Sequence, residues 1–235
     1  MARDHALALS LPFESAILRL YRWERPTLSL GRNEPTGGRY NPAVLRRAGV
    51  DVVRRPTGGR AVLHWRELTY ALVVPVTTLG SARSVYKWTN TCLAEGLASL
   101  GIPAEIAPEP PGPTPLDTGP CFQVAAGGEV TAGGRKLVGS AQVKMRNILL
   151  QHGSILVADD QGLLAGLGDG VACAVDRPAT VESLLGRRPA EGELEGAVVG
   201  AFRRAGADLE EGTTRSGTEA ELEELYRSDA WTWRR

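Results

Sequence analysis

Residues 128–157 read GEVTAGGRKLVGSAQVKMRNILLQHGSILV. Two glycines, Gly133 and Gly134, interrupt an alternation of apolar and polar side chains, and Met145-Arg146-Asn147 interrupts it again. The pattern predicts two antiparallel hairpins in succession. One covers residues 128–143 and turns at Ala132-Gly133-Gly134; the other covers residues 137–157 and turns near Met145-Arg146-Asn147, since adjacent glycines accept the positive φ of a tight hairpin. Strands joined by turns this short run antiparallel, because a parallel pair needs a crossover of a dozen residues or more.

Working outward, residues 2–11 predict a short helix with Ala6, Leu7 and Leu9 as its apolar positions. Residues 16–21 and 27–31 alternate like strands, parted by the turn Glu24-Arg25-Pro26. Asn41-Pro42 opens a helix to about Ala48, with proline where its missing N–H costs least. Residues 50–54 and 61–64 read as strands around Pro56-Thr57-Gly58-Gly59, and residues 68–76 as a β-rich, apolar, central strand. Residues 84–100 form the clearest helix, with Ser84 as cap, Val85, Trp88, Cys92, Leu93, Leu97 and Leu100 on one face, and Gly101 as its end. Residues 103–120 carry Pro103, Pro108, Pro110, Pro111, Pro113, Pro115 and Pro120, and so many missing donors predict a long loop. Helices are expected around residues 181–185, 191–205 and 218–227. Together these give a mixed α/β (α+β) domain spanning residues 1–235, built from largely antiparallel sheets with helices against one face.

The 235 residues suffice for one substantial core, and 43% hydrophobic with 23% charged side chains is ordinary for a soluble globular chain. No apolar stretch approaches the roughly 20 residues of a spanning helix, so no membrane role is expected. With 27 basic and 27 acidic side chains the formal charge is zero, which gives nucleic-acid binding no electrostatic support. Arg54, Arg55 and Arg60 cluster around one glycine pair, and Arg135, Lys136, Lys144 and Arg146 lie in another short stretch. The N-terminus shows no secretory leader, and three cysteines at irregular spacing build neither a disulfide framework nor a metal site. A cytoplasmic, reduced protein with a free thiol is the expectation.

Three segments carry chemistry. In Arg54-Arg55-Pro56-Thr57-Gly58-Gly59-Arg60-Ala61-Val62-Leu63-His64, the glycines permit close backbone approach, and the arginines can fork onto a phosphate or carboxylate. An ordinary tight turn with solvated arginines accounts for the same residues. It is not a nucleotide-binding loop of the Gly-Lys-Ser/Thr type. Cys121 ends the proline-rich loop between Pro120 and Phe122, away from an apolar core, as a nucleophilic thiol requires; a buried, inert cysteine is the general rule. Cys92 and Cys173 sit in apolar surroundings and fit that rule. Lys136 starts a strand just after the Gly133-Gly134 turn, which fixes its direction, so it can orient a carbonyl, stabilise a thiolate or position an amine; a solvated strand-end cation is the alternative. Gly139 and Gly153 inside strand patterns point to bulges or close approach. His152 is a candidate acid/base or a hydrogen-bonded structural histidine.

Arg54 to His64, then Glu67-Leu68-Thr69-Tyr70, then Cys121-Phe122, then Gly134-Arg135-Lys136-Leu137-Val138-Gly139-Ser140-Ala141-Gln142, then Leu150-Gln151-His152-Gly153-Ser154, taken in order and spacing, resemble the lipoate ligase and octanoyltransferase superfamily over nearly the whole chain. The resemblance implies a biotin/lipoyl protein ligase-like catalytic domain. Among its branches, ATP-dependent lipoate ligases usually lack a cysteine before Gly-Arg-Lys and commonly carry an accessory domain. The cysteine at position 121 makes this chain similar to the octanoyl-carrier-dependent transferases of Gram-positive type. That branch implies a ping-pong reaction: Cys121 takes an octanoyl group from acyl-carrier protein, and a lysine of a lipoyl domain, such as glycine cleavage H protein or a 2-oxoacid dehydrogenase E2, removes it. Lys136 would orient the acyl carbonyl and assist the proton transfers, and the Arg54 to His64 loop would line the acyl pocket with Gly139, Ser140, Ala141, Gln142, His152 and Gly153. No cofactor or metal is implied; ATP and Mg belong to the ligase alternative, and a non-catalytic acyl- or lipoyl-domain-binding protein is a third reading. The given sequence begins inside the family's opening helix, at Met1 to His5, and Gln123-Val124-Ala125-Ala126 stands where Asp-Ala-Pro-Ser often follows Cys-Phe.

Overall fold

The computed structural model describes residues 1–12, 14–37, 39–108, 122, 126–167, 177–213 and 216–234. Among them are nine strands: β1 (Ile17–Tyr21), β2 (Thr27–Leu30), β3 (Asp51–Arg54), β4 (Val62–His64), β5 (Glu67–Pro75), β6 (Ala104–Ile106), β7 (Val130–Ala132), β8 (Arg135–Met145) and β9 (Ile148–Leu156). The two hairpins form as the sequence predicts. Gly133 and Gly134 take φ of +56° and +71° between β7 and β8. Both values suit the right-handed twist of a two-residue hairpin turn. Six strands make one antiparallel sheet in the order β1-β5-β9-β8-β7-β6. The other three make a small sheet, β3-β2-β4, in which β2 runs parallel to β3 and antiparallel to β4.

Every residue of β5 is buried, because both faces of the large sheet are covered. On one face, Leu68 and Tyr70 join Val138 and Ile155 beneath α3 (Ala82–Ser99) and α5 (Glu193–Arg204), which contribute Leu93, Leu97, Val198 and Phe202. These helices meet at Gly96, where a Cβ would lie 3.0 Å from the Ala197 carbonyl oxygen. On the other face, Leu7 and Ala8 of α1 (Ala2–Ser10) pack on Ala71, Val73 and Leu150. Helices therefore cover both faces, not one. The apolar run of residues 70–76 fits that arrangement.

Other differences are local. Ser81, not Ser84, caps α3: its Oγ accepts the Ser84 N–H at 3.0 Å. The proline-rich segment contains β6, whose three residues need partners only along β7 and so tolerate Pro103 and Pro108 outside them. Residues 109–121, with the rest of that expected loop and Cys121, lie outside the described residues, as does Cys173. The remaining helices are α2 (Pro42–Arg47), capped by Asn41, α4 (Val181–Leu185), α6 (Glu219–Arg227) and a terminal turn, α7 (Asp229–Thr232). The sequence did not signal α7 or the 3-10 turn Gln161–Gly166.

Candidate active site

A cavity opens where the small sheet meets β8 and β9, and its enclosed space is about 50 Å³. Its wall is Arg55 and Gly59 from the glycine loop, Val62 and His64 from β4, Gly139, Ser140 and Ala141 from β8, His152, Gly153 and Ser154 from β9, and the Phe122 ring. Segments far apart in sequence thus meet at one place. Val62 and Phe122 of the wall pack with Leu156 in a small apolar cluster.

The glycines act through close approach, but it is the protein's own chain that approaches. A Cβ on Gly31 would stand 1.7 Å from the Gly59 carbonyl oxygen, so β2 and the glycine loop touch backbone to backbone. A Cβ on Gly153 would stand 2.3 Å from the Gly139 carbonyl oxygen and 2.6 Å from the Tyr70 ring. At Gly139 it would meet the Phe122 ring at 3.0 Å and Lys136 Cε at 3.2 Å. The bulge expected near these glycines lies on β8 ahead of Gly139: Val130 pairs with Val138 and Thr131 with Lys136, which leaves Leu137 as the extra residue.

The arginines do not present themselves to an anion. Arg54 donates to the carbonyls of Gly31, Arg32, Glu34, Thr232 and Arg234, fastening the C-terminal segment to the loop after β2. Arg55 donates to the Ser29, Gly58 and Arg60 carbonyls and to Ser29 Oγ. A buried guanidinium needs such acceptors, and hydrogen bonds to backbone carbonyls, with the Ser29 hydroxyl added for Arg55, make each arginine a loop anchor. Arg60 and Gly58 lie beside that anchor. Ala61 is buried in the core of the small sheet with Leu28, Leu30 and Leu63. Thr57 leaves the cavity wall to bond His152: Oγ1 and Nε2 are 2.6 Å apart. Burial pulls the His152 imidazole down to about 3, so it stays neutral near pH 7. It therefore fits the structural reading, or that of a neutral hydrogen-bonding group, better than that of a base poised near neutrality.

His64 is held more elaborately. Glu67 Oε1 takes the His64 Nδ1–H at 2.7 Å, along with the hydroxyls of Thr69 at 2.5 Å and Ser154 at 2.8 Å. With a carboxylate on Nδ1, the other nitrogen, Nε2, accepts the Ser29 hydroxyl at 2.7 Å. The Trp23 ring stacks on the imidazole with centroids 4.5 Å apart.

Lys136 is buried, and its direction is fixed by the hairpin. Nζ lies 2.7 Å from Glu129 Oε2 and 5.1 Å from the centre of the Phe122 ring. It is no solvated strand-end cation. Phe122 directly follows Cys121 in sequence, which sets the cysteine's chain neighbour against the lysine. Behind Ser140 lies a polar network: Ser140 Oγ meets Tyr70 Oη at 2.7 Å and Asn90 Oδ1 at 2.9 Å, while Gln151 Nε2 donates to Tyr70 Oη at 2.9 Å. Gln142 belongs to this network, through Gln151 Oε1 at 2.8 Å, and not to the cavity wall. Cys92 is buried on α3, and burial pushes its thiol up to about 11, which suits an inert cysteine.

Sequence reasoning missed Glu129, Ser29 and Asn90. Glu129 had one local signal, a carboxylate at the start of the hairpin strand that pairs with the lysine strand. Ser29 and Asn90 come from other elements and had none.

Residues 1–203 match the family model described as the lipoyl protein ligase A/B catalytic domain. A protein named octanoyltransferase LipM from Kyrpidia tusciae is 37% identical over 93% of this chain and 87% of its own length. A crystal structure of lipoate-protein ligase A bound with ATP superposes with a TM-score of 0.82 at 23% identity, covering 99% of this chain and 92% of that one. A bipartite lipoate protein ligase from Thermoplasma acidophilum, described with its E2 lipoyl domain, superposes at 0.78 with 22% identity over 99% and 89%.

Proposed function

The chain belongs to the lipoyl protein ligase A/B catalytic-domain family, and from that premise we propose that it is an octanoyltransferase of lipoate biosynthesis. The observation that carries this reading is the 37% identity with a LipM octanoyltransferase across almost the full length. The buried Lys136, set against the ring of Phe122 in the cavity wall, supports it.

In this reading the donor is octanoyl-acyl-carrier protein and the acceptor a lysine of a lipoyl domain. The Cys121 thiolate adds to the donor's thioester carbonyl, the carrier's thiolate leaves, and an octanoyl thioester stands on Cys121. The acceptor amine then adds to that carbonyl, Cys121 leaves as thiolate, and the amine's proton passes to a base. A thiolate serves both steps as nucleophile and leaving group. The first step exchanges one thioester for another; the second makes an amide and runs downhill, so no ATP is consumed. Lys136 orients the acyl carbonyl, and the glycine-lined wall takes the chain. The reaction runs in the cytoplasm, where the thiol stays reduced. The ATP-dependent ligase reading draws on the family model, which is named for the ligases, and on likeness of fold at 23% identity, without a curated relative of that activity at comparable identity among those described above.

The test is transfer without nucleotide. Octanoyl-acyl-carrier protein and an E2 lipoyl domain, incubated with the protein in the absence of ATP, should yield octanoyl-lysine on the domain. Product that forms only from free octanoate plus ATP would replace this reading with the ligase.

A further inference from the structure

We propose that Glu129 is a positioning residue for the Lys136 cation, holding it in place and keeping its proton. The inference rests on the transfer reading above, in which Lys136 serves the acyl carbonyl.

Glu129 and Lys136 are 3% and 4% exposed, so this ion pair has little water around it. Glu129 Oε2 is shared: Lys136 Nζ lies 2.7 Å away, and the Ala126 N–H donates to it at 2.7 Å. The Ser140 N–H points at Oε1 from 3.5 Å. One carboxylate thus ties three things together. They are the lysine, the cavity-lining part of β8 at Ser140, and the chain a few residues beyond Cys121. The Phe122 ring, packed under the ammonium, fixes the same chain on the cysteine's immediate side. Gly139 completes the seat, since Lys136 Cε passes 3.2 Å from where its Cβ would be.

The chemistry follows from burial. A lysine removed from water gives up its proton more readily unless a carboxylate stands beside it. With Glu129 in place, Lys136 meets the carbonyl as an ammonium, able to stabilise developing negative charge on the thiolate or on the acyl oxygen. It is then not the base that receives the acceptor amine's proton.

Glu129→Gln and Glu129→Asp test this on the full chain. The first removes the charge but leaves an amide oxygen for the Ala126 N–H; the second keeps the charge and withdraws it by one methylene. Two readouts are needed: the pH–rate profile of octanoyl-enzyme formation from octanoyl-acyl-carrier protein, and competitive acetylation of Lys136 by acetic anhydride across pH, followed by peptide mass. For Glu129→Gln the expected result is a rate roughly 100-fold lower, with the alkaline limb moved to lower pH and Lys136 acetylated at lower pH than in the parent. Glu129→Asp should restore both positions, though not the full rate. Parent-like rate and acetylation in Glu129→Gln would overturn the proposal. So would equal rate losses in both variants with neither limb nor acetylation moved, which marks a structural prop. If Glu129→Gln does not melt cooperatively, Glu129→Ala takes its place with the same readouts: acetylation of Lys136 at lower pH than in the parent supports the proposal, and the parent's acetylation profile overturns it. Acetylation needs no turnover, so a parent that forms no octanoyl adduct would sink the transfer reading and leave this test standing.

Discussion

Thr57 Oγ1 and His152 Nε2, 2.6 Å apart, join the glycine loop to the middle of the large sheet. The bond lies beside the cavity and accepts only a neutral imidazole comfortably, because burial holds His152 down to about 3. In the unfolded chain a histidine titrates near 6.5. Its folded value is depressed, so the unfolded state binds more protons between about 6.5 and 3. Stability from this group is present above that window and is lost as pH falls through it, at up to about 1.4 kcal/mol per pH unit. Urea unfolding at pH 7 and pH 4.5 should show a smaller loss on acidification in His152→Gln than in the parent. Equal losses would contradict the account.

Gly139 and Gly153 are opposed in what they tolerate. At Gly153 a new methyl would collide with a backbone oxygen that cannot move, so Gly153→Ala should cost about 3 kcal/mol. At Gly139 the neighbours are the Phe122 ring and the end of the Lys136 side chain. Gly139→Ala should cost under about 1.5 kcal/mol yet lower transfer more than roughly tenfold, because it displaces the lysine. Thermal melts and transfer rates on the two variants separate these effects.

Arg54 is an anchor for the C-terminal segment. Arg54→Lys keeps a positive charge but loses the fork that reaches five carbonyls, and it should destabilise the fold by about 3 kcal/mol. It should also speed proteolytic cleavage near residues 228–234, while the donor's KM stays within a factor of about two. A large KM rise with unchanged stability would restore the anion-binding role.

Lys136→Met leaves Glu129 buried without its cation, at a cost of about 3–5 kcal/mol, softened by the Ala126 N–H. Adding Glu129→Met should recover more than half of that loss while leaving transfer abolished. Chemical denaturation of the single and double variants reads the coupling directly.

Much of this was legible in the sequence because local chemistry specifies it. Gly133-Gly134 demands a positive-φ turn, so the hairpin and the direction of Lys136 followed. Asn41-Pro42 marked a helix start. The apolar run of residues 70–76 marked a central strand, yet helices were expected against one face only, because the packing of α1 on the second face is set by contacts distant in sequence. What stayed hidden was tertiary. Arg54 and Arg55 have the residue types of an anion site, and only the fold shows backbone carbonyls using up their donors. The division of strands between two sheets depends on partners distant in sequence, as in the pairing of Ser29 with Val53 and Val62. Ser81 and Ser84 are chemically equal caps; the chain's entry angle chooses between them. Cys121 lies outside the described residues, so its part in the site rests on sequence and on the placement of its neighbour Phe122.

The central claim is a covalent octanoyl group on Cys121 formed without ATP. Intact mass of the protein after incubation with octanoyl-acyl-carrier protein reads it most directly. The account predicts one octanoyl adduct, removed by hydroxylamine and absent in Cys121→Ser. An unmodified parent, or an adduct that persists in Cys121→Ser or resists hydroxylamine, would contradict it.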